Sequence, residues 1–187
     1  MNAYDFDNTV FRGDSTAKFY VYCLLRTPKM ILRLPKLLFG AVFVLPKDKQ
    51  RFKQGMFAFL RDLADPEKAV SEFWDRKLGG IKRFYLAGKK EDDVIISASP
   101  EFLVKPAMAR LGVSGVLASP VDIRTGRYRG LNCHGEEKVR RFRAVFPAAR
   151  VETFYSDSRS DAPMARLAER AYLVKGEKLI PWEDQPS

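Results

Sequence analysis

Hydrophobic and polar positions along this 187-residue chain change rhythm at two places. Asn2 to Asp7 alternates as a short strand does and stops in an acidic turn. From Asp14 to about Gly88 the apolar residues recur at helical spacing. Asp14 or Ser15 is placed to cap a helix carrying Phe19, Tyr22, Cys23 and Leu24 on one side. A second apolar stretch, punctuated by Pro28 and Pro35, runs to Leu45. Asp48 caps a third helix with Phe52, Met56, Phe59, Leu60 and Leu63, and Asp65-Pro66 reads as N-cap and first residue of a fourth, bearing Val70, Phe73 and Trp74.

Beyond Gly88 strands and helices alternate. Val94 to Ile96 is a buried strand, and Pro100 to Leu111 a helix stopped by Gly112. Gly115 to Ala118 and Val121 to Ile123 are short extended pieces, and Arg124 to Gly130 is a basic, turn-rich connection. Glu136 to Phe146 is a helix, Arg150 to Tyr155 a strand, Asp161 to Arg170 a helix and Ala171 to Val174 a last strand; Pro181 to Ser187 reads as a loose tail. This alternation predicts an α/β fold, with a mainly parallel sheet and helices on both faces.

Composition narrows the class. An apolar share of 46% with 30% charged residues is that of a globular protein. Cys23 and Cys133 stand too far apart for a metal-type spacing and make no disulfide framework, so a cytoplasmic home is expected. The sole histidine, His134, excludes histidine-rich zinc sites. His134 and Cys133 read as loop residues lining a pocket at most. The longest uncharged apolar run, Leu37 to Pro46, is about half of the ~20 residues a spanning helix needs. No signal peptide is expected, because Asp5 and Asp7 interrupt the N-terminus at once.

The net charge of +10 is unevenly placed. Arg12 to Lys90 holds 18 Lys/Arg against 7 Asp/Glu, whereas the remainder holds 15 against 16. A solvated basic face and a surface for anionic partners fit this count equally well. The aromatic residues Phe52, Phe57, Phe59, Phe73 and Trp74 read as helix-packing core, and with no nucleic-acid motif beside them no nucleic acid partner is expected.

Ligands of an open α/β sheet bind outside the carboxyl ends of its strands. Three polar clusters fall at such ends: Asp5-Phe6-Asp7-Asn8-Thr9, Ser97-Ala98-Ser99 and Asp157-Ser158-Arg159-Ser160-Asp161. Magnesium takes hard oxygen ligands, which Asp5 and Asp157 supply. An attacking carboxylate splits one hard hydrolysis into two easier steps. Lys138, at the start of a helix, is a cation suited to a transferring phosphoryl group.

Each cluster alone has an ordinary structural meaning. Together and in this order they resemble the four motifs of the haloacid dehalogenase superfamily, from about Asn2 to Gly176. The Ser97-Ala98-Ser99-Pro100 and Asn132-Cys133 steps are similar to its phosphoserine-phosphatase-like branch. The resemblance implies a three-layer, Rossmann-like core of residues 1–13 and 89–187 with an inserted helical cap of residues 14–88. It implies Asp5 as nucleophile and Asp7 as general acid, then base. Asp5, the Asp7 carbonyl and Asp157 would hold Mg2+. Ser97 and Lys138 would grip the phosphate, with Ala98, Ser99, Asn132 and Thr9 around it, and Asp161 and Ser158 standing behind. Asn8 and Ser156 occupy positions where glycine is common in the family. An acid at Asp7 favours phosphatase or phosphomutase over dehalogenase, because an alkoxide leaving group needs a proton.

Three readings of function follow. The first is a magnesium-dependent phosphatase acting on a soluble phosphomonoester. The second is a peripheral lipid-phosphate phosphatase at the inner face of a membrane. The basic and apolar blocks between Arg26 and Lys53 suit an anionic interface, and the cap resembles that of bacterial phosphatidylglycerophosphate phosphatases. The third, of another class, is a catalytically silent protein that binds an anion.

Overall fold

The computed structural model describes residues 1–33 and 55–182. The expected apolar stretch from Leu37 to Leu45, and the Asp48 cap with Phe52, lie outside the described residues. Among the described residues six strands form one sheet: β1 (Asn2–Tyr4), β2 (Val94–Pro100), β3 (Gly115–Ser119), β4 (Val151–Ser156), β5 (Ala168–Lys175) and β6 (Lys178–Pro181). Their order is β3-β2-β1-β4-β5-β6, parallel except for the β5–β6 pair. The chain builds outward from β1 on one side and then crosses to β4 on the other. The crevice at the carboxyl ends of β1 and β4 is therefore the topological switch point.

Alternation along the central strands sorts side chains onto two faces. Tyr4 and Ile95 face a cluster with α1 (Ser15–Arg26), α2 (Pro66–Lys77), α3 (Arg83–Gly88) and α4 (Glu101–Ala109). Ala3, Val94 and Ile96 face the cluster of Phe142 and Met164, from α5 (Glu136–Val145) and α6 (Ala162–Leu167). The first cluster is aromatic: Phe73 and Trp74 lie with ring centroids 4.8 Å apart, Phe19 and Phe73 5.3 Å. Trp74 Nε1 donates to the buried Leu103 carbonyl at 2.8 Å, fixing α2 on α4. The described helices of segment 14–88 thus share one apolar cluster with the sheet. Each such aromatic pair contributes about 0.5–1.5 kcal/mol beyond its area burial.

The helix starts follow the capping residues. Asp14 accepts from the Ala17 amide at 2.8 Å, and Asp65 from the Lys68 amide at 2.9 Å with Pro66 opening the helix. Three expectations are corrected. Val121 to Ile123 is not a strand: Val121 makes one bridge to Tyr128, and Asp122 then draws the chain into a turn by accepting from the amides of Arg124 and Thr125. The expected helix from Asp161 to Arg170 ends at Leu167. Ala168, Arg170 and Ala171 pair instead with Val151, Thr153 and Phe154, so sheet pairing overrides the helical preference of Ala-Glu-Arg. The strand expected at Ala171 to Val174 is not the last: Lys178 to Pro181 pairs antiparallel with β5 as the edge strand β6, so Pro181, expected in the tail, belongs to the sheet.

Candidate active site

The loop after β1 is built to present carboxylates. Asp5 N donates to the Tyr155 carbonyl at 2.8 Å, continuing the pairing with β4 one residue past the strand. Asn8 then takes a left-handed backbone, φ +56°, which asparagine tolerates better than most residues. Its carbonyl accepts from the ammonium of Lys82, a buried lysine just ahead of α3. Thr9 is buried behind the loop, its hydroxyl accepting from the Asp157 amide at 2.9 Å and so tying β1's loop to β4's.

Lys138 Nζ lies 2.7 Å from Asp5 Oδ1 and 2.7 Å from Asp161 Oδ2. The lysine is only 2% exposed, so the ion pairs are shielded from water. Ser156 donates to the same Asp161 oxygen at 2.7 Å and accepts from the Ser158 amide at 3.1 Å. Serine in place of glycine at position 156 is therefore a working part of this loop. Burial works to lower the Lys138 pKa, but the charges of Asp5 and Asp161 outweigh it and hold the ammonium above its ordinary value. For Asp5, burial is the largest influence and Lys138 opposes it, leaving the carboxyl pushed up to about 7.

Asp7 is held differently. Its Oδ1 accepts from the Ser15 amide at 2.7 Å, and its Oδ2 accepts from the Ser99 hydroxyl. Ser99 Oγ lies 3.0 Å from the Thr16 hydroxyl. Burial raises the Asp7 pKa, with the hydrogen bonds from Ser99 and Ser15 opposing. Ser97 is buried on β2, its oxygen accepting from the Ser99 amide at 3.0 Å.

A cavity of about 290 Å³ opens onto these groups. Asp5, Asp7, Ser97, Ala98, Ser99, Lys138, Asp157, Ser158 and Asp161 line it, as does His134. Of the expected phosphate-side residues, Thr9 and Asn132 stand outside this lining. Asn132 pairs with Ser119, 2.9 Å away, behind the end of β2. Thr16 and Ala17, which the sequence does not mark as site residues, line the cavity too, as do Met56 and Phe57, which read from the sequence as helix packing. A helix capped at Asp14, directly after the acidic loop, was the available signal for Ser15 and Thr16. Nothing in the pattern marked Lys82.

The donor set fits a hard divalent cation. Among the described residues the lining carries Asp5, Asp7, Asp14, Asp157 and Asp161 against one ammonium, Lys138, already shared between two of them. Burial pushes Asp5, Asp7 and Asp157 all above the ordinary carboxylate range, the strain a bound cation relieves. No three carboxylate, imidazole or thiol side chains form a closed cage among the described residues.

Fold and site together define a doubly wound α/β protein with a carboxylate-rich pocket at the switch point of its sheet. The chain belongs to the haloacid dehalogenase-like hydrolase family, whose model matches residues 3–166. Protein CicA of Caulobacter vibrioides is 29% identical over 191 residues, covering 92% of this chain and 85% of that protein. A Bordetella pertussis Tohama I protein of unknown function shares the fold with a TM-score of 0.71 at 20% identity, covering 92% of this chain and 88% of that one. A phosphoserine phosphatase, solved as a phospho-aspartyl intermediate analogue, aligns with a TM-score of 0.53 at 16% identity over 91% of this chain and 84% of its own. The fold is that of the phosphoserine-phosphatase-like branch.

Proposed function

We propose that this hydrolase is a magnesium-dependent phosphatase that cleaves a phosphomonoester through an aspartyl-phosphate on Asp5. One observation carries the reading: a buried ammonium, Lys138, lies 2.7 Å from both Asp5 and Asp161 on the cavity wall. Asp5 attacks phosphorus while Asp7 protonates the leaving oxygen. Asp7 then takes a proton from the water that releases phosphate from Asp5. Lys138 and the Ser97 hydroxyl hold the phosphoryl oxygens as their charge spreads. Asp5, Asp157 and the Asp7 carbonyl would hold Mg2+, which supplies charge neutralisation at the phosphoryl oxygens. Residues 14–88 act as the cap over the core of residues 1–13 and 89–187.

The test is Asp5→Asn, an isosteric change that leaves no nucleophilic carboxylate. Turnover of a phosphomonoester panel, phosphoserine included, is expected to vanish with the thermal midpoint retained. Appreciable turnover in that variant would sink the assignment, as would undiminished wild-type turnover after exhaustive chelation.

A second reading, a lipid phosphate at an anionic membrane surface, draws on one separate feature. A groove of about 570 Å³ beside the active cavity shares Ala17 with it. Val21 and Leu25, 52% and 77% exposed, form its apolar part, with Lys18, Arg26, Arg76 and Lys77 around them. Apolar surface rimmed by cations suits an anionic interface. Among the described residues no helix is long and apolar enough to cross a membrane. Salt-sensitive co-sedimentation with anionic vesicles, and turnover of phosphatidylglycerophosphate above that of soluble esters, are the outcomes this reading requires.

A further inference from the structure

Both oxygens of Asp7 are engaged by neutral donors, and the two donors differ in kind. Oδ1 faces the Ser15 backbone amide, 2.7 Å away, which can only donate. Oδ1 is thereby fixed as an acceptor. Oδ2 faces the Ser99 hydroxyl, whose oxygen lies 3.0 Å from the Thr16 hydroxyl. A hydroxyl carries one proton and also accepts. With Asp7 ionised, Thr16 donates to Ser99 and Ser99 donates to Oδ2. With a proton on Oδ2, both hydroxyls turn and the hydrogen-bonded chain survives in reverse.

Ser99 has no donor left for a phosphate in this arrangement. Its hydroxyl proton goes to Asp7, and its amide donates to Ser97 Oγ at 3.0 Å. We propose that Ser99, backed by Thr16, is a positioning residue that aims the Asp7 carboxyl and confines its proton to Oδ2. As the bond from phosphorus to the leaving oxygen breaks, the Oδ2 proton swings from Ser99 to that oxygen and passes to it, Ser99 turns back to donate to the ionised Oδ2, and Asp5 forms its bond to phosphorus. In the second half, Oδ2 recovers a proton from the attacking water. The water oxygen bonds to phosphorus and the electron pair of the broken bond returns to Asp5. The assignment rests on the general-acid reading of Asp7.

The experiment compares kcat/KM on two magnesium-supplemented substrates, benzyl phosphate and 4-nitrophenyl phosphate. The alkoxide leaving group of the first needs a proton; the nitrophenolate of the second does not. General acid–base catalysis contributes about 10²–10⁴-fold, so Ser99→Ala is expected to lower benzyl phosphate turnover at least about tenfold more than nitrophenyl phosphate turnover. Thr16→Val, isosteric at a partly buried position, should act in the same direction but less, and Thr16→Ser should restore the wild-type ratio. This Thr16 pair carries the test if Ser99→Ala fails to fold.

Equal losses on both substrates would overturn the proposal in favour of phosphate binding or packing, as would a Thr16→Ser protein that behaves like Thr16→Val. Asp7→Asn separates the two levels. If it is sensitive to the leaving group and Ser99→Ala is not, the positioning role alone falls. If Asp7→Asn is itself insensitive, the general-acid reading falls and takes the positioning role with it.

Discussion

Asp5 and Asp7 stand two residues apart on one loop, yet they are held by opposite means. Asp5 is held by charge, through an ammonium 2.7 Å away that is itself anchored on Asp161. Asp7 is held by a backbone amide and a pair of hydroxyls. The difference matches the roles proposed for them. A carboxylate that attacks must arrive ionised, and a buried ammonium favours that form against the cost of burial. A carboxyl that gives up and recovers a proton in every turnover would be trapped in its ionised form by such a neighbour. Hydroxyls serve it better, because they hold both states at little difference in energy.

The largest break in this comparison is to remove the charge on the Asp5 side. Lys138→Met keeps the bulk of the stem and leaves Asp5 and Asp161 unpaired. Breaking a buried pair costs about 3–5 kcal/mol of stability. Loss of a preorganised phosphoryl partner costs about 10²–10³-fold in turnover. Denaturant titration and kcat/KM together check both, and a variant within about threefold of wild type would show that charge is not what holds Asp5. Asp161→Asn is the milder form. Ser156 still has an oxygen to donate to, and Lys138 still reaches Asp5, so a loss of about 10–100-fold is expected, as for a supporting partner of a reacting group. A loss as deep as that of Lys138→Met would mean Asp161 takes part in the chemistry directly.

What could be read from the sequence divides along a physical line. Asp65-Pro66 and Asp14 name their helix starts through local hydrogen bonds, and both form as the sequence reads. Asp5, Ser97, Lys138, Asp157 and Asp161 were legible because each stands in the carboxyl-end half of a strand, just past a strand, or at the start of a helix. Ala168 to Arg170 was not, since its helix-favouring residues become strand only by pairing with β4. β6 is an edge strand of four exposed residues, too short to announce itself. Ser15, Thr16 and Lys82 escaped for a tertiary reason. The direction in which α1 points its first amide, and the reach of Lys82 to the Asn8 carbonyl, depend on how the helices of segment 14–88 dock on the sheet.

The smallest of these effects is read without turnover and sharpens the energetic side of the comparison. Burial leaves Asp5 near 7 in the fold despite Lys138, against an ordinary value of 3.8. The folded protein therefore holds this proton more tightly than the unfolded chain does, and stability falls as pH rises from about 4 to about 7. Glu137 does not blur this window. Arg140 and Arg141 hold it down to about 2, so its contribution is full above 4.5 and is lost as pH falls from there through about 2. Asp7 and Asp157, also raised by burial, add to the decline as pH rises. The measurement is the thermal midpoint across pH in chelator and in magnesium. A decline in chelator that magnesium flattens is expected, because a cation favours ionised Asp5. Asp5→Asn should remove the part of the slope that belongs to this carboxyl. An Asp5→Asn profile that falls with pH in chelator as steeply as the wild type's would mean that Lys138 already offsets the whole cost of burying Asp5, the decline belonging to the other raised carboxyls. The nucleophile would then need no cation for its own ionisation, and Asp7, raised by burial with only neutral partners against it, would be the more strained of the two.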